Sequence, residues 1–225
     1  MIVGKGLIAS LFINQDRENT VFFASGVSNS LETRVEEFLR EENLIKNTIT
    51  ENPDKIFIYF STCSIYDSSK TGSDYVLHKL KMEQLIKKSC NQFLILRVSN
   101  AVGKGGNPNL LMNYIVNAVK NNETINVHIK ATRNLIDAED VKNITFDLLD
   151  KQYLNKIINV AYTQNYSIIE ILEIIERFYD IKPQINLIRS GSGYDIQVSD
   201  IEEYFYKNNM IDKEKYIYNV LRKYF

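Results

Sequence analysis

Short apolar runs alternate along the first hundred residues with stretches whose apolar side chains recur at helical spacing, and this alternation limits the chain to few architectures. Met1-Ile2-Val3, Val21-Phe22-Phe23-Ala24-Ser25, Ile56-Phe57-Ile58-Tyr59-Phe60 and Phe93-Leu94-Ile95-Leu96-Arg97-Val98 are of strand length and apolar almost throughout, as strands buried on both faces are. Between them lie a helical pattern through Leu11 and Phe12, a second carrying Leu31, Val35, Phe38, Ile45 and Ile49 and closed by Pro53, and a third bearing Tyr75 and Lys79. A β-α-β-α-β-α-β order predicts an α/β fold with a parallel sheet covered by helices on both faces.

The pattern loosens after Asn100. Gly103, Gly105 and Gly106 mark a turn, and Asn107-Pro108 reads as the cap and first residue of a helix along Leu110, Leu111, Tyr114, Ile115 and Ala118. Ile125-Asn126-Val127 is a short strand, and Asp137 is placed to cap a helix holding Val141, Ile144 and Leu148. The strand Ile157-Ile158-Asn159-Val160 precedes Ser167-x-x-Glu170, a capping box heading a helix of Ile171, Leu172, Ile175 and Phe178. Ile185 to Ile188 is one more strand, and Ser199-x-x-Glu202 opens a further helix before the segment 212–225. With no repeat or long linker, one domain over 1–225 is expected: a body over about 1–100 and a smaller C-terminal lobe over about 101–225, whose late strands return to the sheet.

At 225 residues and 44% hydrophobic content the chain can bury a proper core. Its net charge of −1, without a basic stripe, gives a nucleic-acid partner no electrostatic support. The apolar runs are too short for a membrane span and no signal peptide is read at the N-terminus, so a cytoplasmic protein is expected. Cys63, Cys90, His78 and His128 lack metal-ligand spacing, so no metal site is expected and both cysteines read as buried small hydrophobes.

Two elements carry chemistry. Tyr75 and Lys79 stand four apart, so on a helix they share a face and the ammonium favours the phenolate of a tyrosine acting as acid or base; the same spacing also suits a solvated helix face. Gly4-Lys5-Gly6-Leu7-Ile8-Ala9 follows the first strand as Gly-x-Gly-x-x-Ala. It suits either a tight turn needing small residues or a helix N-terminus that approaches a pyrophosphate.

Taken in order, the motifs resemble the extended short-chain dehydrogenase/reductase superfamily, and within it the NAD-dependent epimerase/dehydratase group acting on sugar nucleotides. Gly4 to Ala9 resembles its phosphate loop, and Phe22-Phe23-Ala24-Ser25-Gly26-Val27-Ser28 the end of a later strand. Ser61-Thr62-Cys63-Ser64-Ile65-Tyr66-Asp67 is similar to its SS-x-x-VYG segment, and Tyr75 to Lys79 to its Tyr-x-x-x-Lys. Arg97 to Gly103, Arg133 to Val141, and Ile158-Asn159-Val160 with Ser167-Ile168-Ile169-Glu170 resemble three further segments. The resemblance implies a Rossmann-like sheet with a C-terminal substrate lobe, NAD or NADP as cofactor, and a nucleoside diphosphate sugar as substrate. It also implies reduction or epimerisation at a sugar carbon, in surface-polysaccharide biosynthesis. Tyr75 is then the acid/base, Lys79 the cation supporting it and holding the nicotinamide ribose, and Thr62 the hydroxyl partner of the reacting oxygen. Gly4, Gly6, Leu7, Ile8, Ala24 and Ser25 would line the cofactor with Tyr75 and Lys79, while Asn100 and Arg133 would hold the substrate diphosphate.

The departures narrow the chemistry. Cys63 and Ser64 replace the Asp-Glu pair that dehydratases carry after the threonine, which disfavours elimination of water. Ser64 stands where the epimerase-reductase making GDP-fucose has its working cysteine. Between Leu7 and Val21 there is room for one short helix instead of a helix and two strands. The sheet is therefore expected to be reduced in strand number, with the Met1 strand at its edge, the adenosine-reading residue missing, and a homodimer to cover the edge. Arg17 is left to approach a 2′-phosphate or to be solvated. A sugar-nucleotide binding or scaffold protein without a functional dinucleotide site is the alternative, and a reductase of a non-sugar carbonyl a third reading.

Overall fold

A computed structural model describes residues 1–225 except Asp16, Gly106, Pro108 and Asn109, so the expected helix opening at Asn107-Pro108 lies partly outside the described residues. In chain order the elements are β1 (Ile2–Val3), α1 (Leu7–Ser10), β2 (Thr20–Phe23), α2 (Val35–Glu51), β3 (Ile56–Thr62), α3 (Asp74–Ser89), β4 (Phe93–Val98), β5 (Asn100–Val102) and α4 (Leu111–Lys120). They continue as β6 (Thr124–His128), β7 (Thr132–Arg133), β8 (Leu135–Asp137), α5 (Ala138–Asp150), β9 (Lys156–Val160), β10 (Tyr166–Ser167), α6 (Ile168–Tyr179), β11 (Gln184–Ile188), α7 (Glu202–Lys207) and α8 (Lys213–Tyr224). The chain divides into two compact units: Met1–Val98 with Glu139–Val160, and Ser99–Ala138 with Ala161–Phe225.

In the first unit a sheet of 5 strands runs β1-β2-β3-β4-β9. Every neighbouring pair is parallel, with Thr62 opposite Val98 and Val98 opposite Val160. Alternate side chains go to opposite faces. Val21 and Phe23 of β2, Phe57 and Tyr59 of β3 and Ile95 of β4 cluster with Ile45 of α2 and Met82 and Ile86 of α3. The intervening Phe22 and Phe60 take the other side, where Phe12 stacks on Phe22 at 4.4 Å and meets Phe60 at 5.5 Å and Phe146 of α5 at 5.7 Å. The sheet therefore has helices on both faces, and β1 lies at its edge with β2 as its sole neighbour in the strand order.

Two local expectations differ. The helix read from Leu31 onward begins at Val35, so Leu31 precedes it; both Leu31 and Val35 are exposed, and the core face of α2 is set further along by Ile45. α1 is a single turn that ends before Leu11.

The second unit carries three strand pairs: β5 with β8, β6 with β11, and β7 with β10. Its core is aromatic, with Tyr162 stacked on Tyr216 at 4.0 Å and Phe205 edge-on to both. The capping box at the start of α6 is present in full, with Ser167 and Glu170 each accepting the other's backbone N–H. Asp212 caps α8 by accepting the Lys215 N–H. Ser199 does not cap α7, which starts at Glu202 after Ile201. α5 begins directly after Asp137, whose carboxylate accepts from Lys223 Nζ at 2.8 Å and Tyr224 Oη at 2.6 Å and so ties down the end of α8.

Candidate functional site

The carboxyl end of the first unit's sheet collects the cofactor and acid–base residues singled out from sequence, while Asn100 and Arg133 lie in the second unit. β1 ends at Val3, and Gly4 follows with φ +133°, a left-handed conformation. A Cβ there would also drive into the Ala24 carbonyl and stand 3.0 Å from the Ser25 nitrogen, so the turn is pressed against the end of β2 and only glycine fits. Gly6 is different. It precedes α1 with nothing within 4 Å of where a Cβ would sit, and is exposed. Leu7 and Ile8 open the single turn of α1. The Ser25 carbonyl and hydroxyl accept from Arg40 Nη1 at 3.1 and 3.4 Å.

Thr62 closes β3. Its hydroxyl oxygen accepts the Ser64 N–H at 3.0 Å and caps the 3-10 turn Cys63–Tyr66, which leaves the hydroxyl proton to donate. Tyr75, in the first turn of α3, packs with Val27 and Val76, and Ile65 of the 3-10 turn lies against that cluster. Among the described residues no hydrogen bond engages the Tyr75 hydroxyl or joins it to Thr62.

Lys79 lies one helical turn on from Tyr75, with its ammonium 5.9 Å from the Tyr75 ring centroid. It is not a solvated residue: it is only 2% exposed and donates to Glu41 Oε1 at 3.0 Å and Tyr59 Oη at 3.1 Å. Glu41 of α2 is fully buried. Its carboxylate also accepts from Tyr59 Oη at 2.6 Å and the Val27 N–H at 2.7 Å, and His78 Nε2 lies 3.1 Å away. Burial alone would raise the Glu41 carboxyl, but the charge of Lys79 and the hydrogen bonds from His78, Tyr59 and Val27 outweigh it and hold it well below the usual carboxylate range. Burial, with the Glu41 carboxylate beside it, pushes the Tyr59 phenol up. Gly26 makes room for the pair, since a Cβ there would collide with Lys79 Nζ and come within 2.8 Å of Glu41 Oε1.

Sequence reading missed Glu41, Tyr59 and His78. Glu41 sits in the charged run Glu36-Glu37…Arg40-Glu41-Glu42, which reads as a solvated face. The available signal was its spacing: three after Phe38 and four before Ile45, it falls on the apolar stripe.

A second network supports the end of β3. Glu83 of α3, fully buried, accepts from Ser61 Oγ at 2.6 Å and from Arg97 Nε and Nη2 at 3.0 and 2.7 Å. Arg97 Nη1 donates to Tyr66 Oη, whose hydroxyl donates to Asn159 Oδ1. Cys63 is buried beneath, its thiol 2.9 Å from the Arg97 carbonyl and pushed up by burial to about 12, so it offers neither an acid nor a nucleophile.

Arg17 pairs with Asp150 at 2.7 Å and lies 5.0 Å over the Phe146 ring, in an ion pair whose side chains stay 38% and 65% exposed, so it is paired at the surface and still solvated. As to a dinucleotide, the open turn at Gly6, after the tight turn at Gly4, suits a pyrophosphate, and the free Tyr75 hydroxyl and the remaining N–H of Lys79 suit its reactive end.

In the second unit Asn100 lines a small cleft with Val102, Gly103, Leu111, Met112 and Leu135. Its Nδ2 donates to the Asn134 carbonyl at 2.7 Å, fixing the amide. Arg133 is held by main-chain carbonyls. Its Nη1 donates to the carbonyls of Thr132 and Ser192, at 2.7 and 3.2 Å. Asn134 between them, also missed, is buried and bonded to Ser99, Tyr162, Gln164 and Asn165.

Residues 19–161 match the sequence model of the NAD dependent epimerase/dehydratase family. A curated relative, GDP-6-deoxy-D-talose 4-dehydrogenase of Aggregatibacter actinomycetemcomitans, is 28% identical over 150 residues, 60% of this chain and 51% of the relative. The chain thus spans about half the length of that protein. Among solved structures, the UDP-N-acetylglucosamine 4-epimerase of Methanobrevibacter ruminantium M1, in complex with UDP-N-acetylmuramic acid, superposes with a TM-score of 0.68 at 16% identity, over 97% of this chain and 83% of that one. The UDP-glucuronic acid 4-epimerase of Bacillus cereus, in complex with UDP-glucuronic acid and NAD, gives 0.67 at 17% identity, over 96% and 79%. At these identities the likeness is one of fold.

Proposed function

The chain belongs to the NAD dependent epimerase/dehydratase family, and on that premise we propose that it is an NAD- or NADP-dependent reductase or epimerase of a nucleotide-linked sugar. The observation that carries the proposal is the pairing on α3: a Tyr75 hydroxyl with no protein partner among the described residues, and the buried Lys79 ammonium 5.9 Å from its ring. When bound, the dinucleotide supplies or accepts the hydride. Gly4 and Gly6, with Leu7, Ile8, Ala24 and Ser25, would hold its phosphate end, and Tyr75 and Lys79 its nicotinamide ribose. Tyr75 gives its proton to the oxygen of the sugar carbon being reduced, or takes it in the reverse direction, and Lys79 stabilises the phenolate left behind. Thr62 donates its remaining proton to the same oxygen and so orients it. Asn100 and Arg133 would hold the diphosphate, Arg133 through the guanidinium N–H groups not given to Thr132 and Ser192.

Reduction or epimerisation is favoured over dehydration because Cys63 and Ser64 supply no carboxyl pair, and the Cys63 thiol stays protonated. The relative whose name specifies a GDP-linked deoxysugar supports a sugar nucleotide as substrate; surface-polysaccharide synthesis in the cytoplasm is the setting proposed with it. Two copies associating would cover β1 and the exposed Leu31, Val35 and Leu39. A second reading, a sugar-nucleotide binding protein without a working dinucleotide site, is favoured by one observation: Arg17, the basic residue left for the adenosine side, is paired with Asp150.

The experiment is calorimetric titration with NAD, NADH, NADP and NADPH, with and without nucleoside diphosphate sugars, on the wild type and Tyr75→Phe. The proposal expects dinucleotide binding by both proteins and turnover by the wild type alone. Sugar-nucleotide binding without dinucleotide binding establishes the second reading, and full activity in Tyr75→Phe overturns the first.

A further inference from the structure

The buried cluster behind Tyr75 contains a carboxylate that the proposed reaction does not use. Glu41 lies on α2, 38 residues before Lys79, yet its two oxygens take hydrogen bonds from α3, β3 and the loop after Gly26. A lysine that is 2% exposed and lacks a carboxylate partner sheds its proton, because an uncompensated ammonium is poorly solvated inside a protein. Lys79 also has many rotamers, and a point charge on a four-carbon stem stays under one ring only if something pins it. We infer that Glu41 is the positioning residue of this site: it fixes Lys79 Nζ beside Tyr75 and keeps it charged, with Tyr59 as the second acceptor.

Geometry supports the assignment from three sides. Glu41 Oε1 and Tyr59 Oη accept two of the three ammonium protons, at 3.0 and 3.1 Å, and the third has no acceptor among the described residues. That proton is the one left for a ribose hydroxyl or for the phenolate. Glu41 is itself fixed by the Val27 N–H and by Tyr59, at 2.7 and 2.6 Å, so the anchor does not depend on Lys79. Gly26 leaves no side chain where the two charged groups meet. The titratable groups facing Lys79 are Glu41 from α2, Tyr59 from β3, and Tyr75 on its own helix, with His78 on the far side of the Glu41 carboxylate and Glu83 one turn along.

The catalytic consequence rests on the proposed acid–base role of Tyr75, whereas the state of Lys79 is testable without cofactor or substrate. Lysine labelled with ¹³C at Cε is titrated by NMR in the wild type and in Glu41→Gln, and the Lys79 signal is identified by its loss in Lys79→Met. The titration of Lys79 is expected to move to lower pH by about one unit or more in Glu41→Gln, a tenfold change in its acid constant. Glu41→Asp, which keeps the charge, is expected to restore most of the difference and guards against a Gln variant that fails to fold. A Lys79 titration unchanged in Glu41→Gln overturns the inference, as does one that Glu41→Asp shifts as far as Glu41→Gln. If Lys79 responds as expected but Tyr75→Phe remains active, the positioning role stands and the acid–base reading falls.

Discussion

Gly26→Ala sets two opposing effects against each other at the pair on which the site depends. Gly26 is not in the left-handed region, so alanine is allowed by the backbone and would stabilise the protein by about 0.4–1 kcal/mol through the unfolded chain. Against this, the new methyl group collides with Lys79 Nζ and comes within 2.8 Å of Glu41 Oε1. The lysine end is flexible in principle, but here it is held by Glu41 and Tyr59, so relief of the clash stretches a buried ion pair. Overpacking of this kind costs about 1–3 kcal/mol. The clash wins, with a net loss of about 1–2 kcal/mol, or about 2–8 °C in Tm for a chain of this size. Gly6→Ala is the control: with nothing within 4 Å, it should change stability by no more than about 0.5 kcal/mol. Urea unfolding followed by circular dichroism measures both, and Gly26→Ala should cost at least about 1 kcal/mol less in a Lys79→Met background. Gly26→Ala as stable as the wild type, or an equal penalty with and without Lys79, would refute the reasoning.

Other outcomes follow from the same geometry. Glu83→Ala strands the Arg97 guanidinium and should cost about 3–5 kcal/mol in urea unfolding, while Ser61→Ala, which removes one hydrogen bond, should cost about 1 kcal/mol; equal effects would argue that the network is not centred on Glu83. Ser167→Ala removes half of the capping box and should cost about 1 kcal/mol, with Thr retaining most of it. Because Glu41 has its folded pKa depressed, its contribution to stability is present above about pH 4.3 and is lost as pH falls through the folded value; Glu41→Gln should flatten that part of the acid-unfolding profile. Cys63 behaves oppositely. Its thiol is raised to about 12, so folding keeps a proton that the unfolded chain releases above about pH 8.5, and stability should decline from there toward pH 12, less steeply in Cys63→Ala. Native protein at pH 8 should also react with iodoacetamide at Cys63 far more slowly than unfolded protein does.

The order of elements in the first unit was legible because a strand buried on both faces needs an unbroken apolar run, and Ile56 to Phe60 and Phe93 to Leu96 are such runs. The α6 start was legible because a capping box is a local device. Glu41 was not, because its partners are 14, 18, 37 and 38 residues away and only tertiary packing brings them to it. Leu31 and Val35 misled for another reason: periodicity locates a helix without fixing where it starts, and Leu31 lies before α2 while Val35 stands exposed in its first turn. At Ser199 the capping pattern is present but the chain enters α7 at Glu202, so a sequence signature was overridden by the path of the loop. Of the candidate site, Tyr75 and Lys79 were readable as a pair, whereas the carbonyls that hold Arg133 belong to Thr132 and to Ser192 in a distant loop, which no spacing encodes.

The polypeptide passes between its two units after Val98, after Ala138 and after Val160. A single cut therefore releases neither of them, and the second unit cannot be exchanged as a cassette between relatives without rejoining the chain at three places. A change to the second unit in a molecule wired in this way is most simply made by substitution in place, which leaves the sheet and the α3 helix that carries Tyr75 and Lys79 untouched.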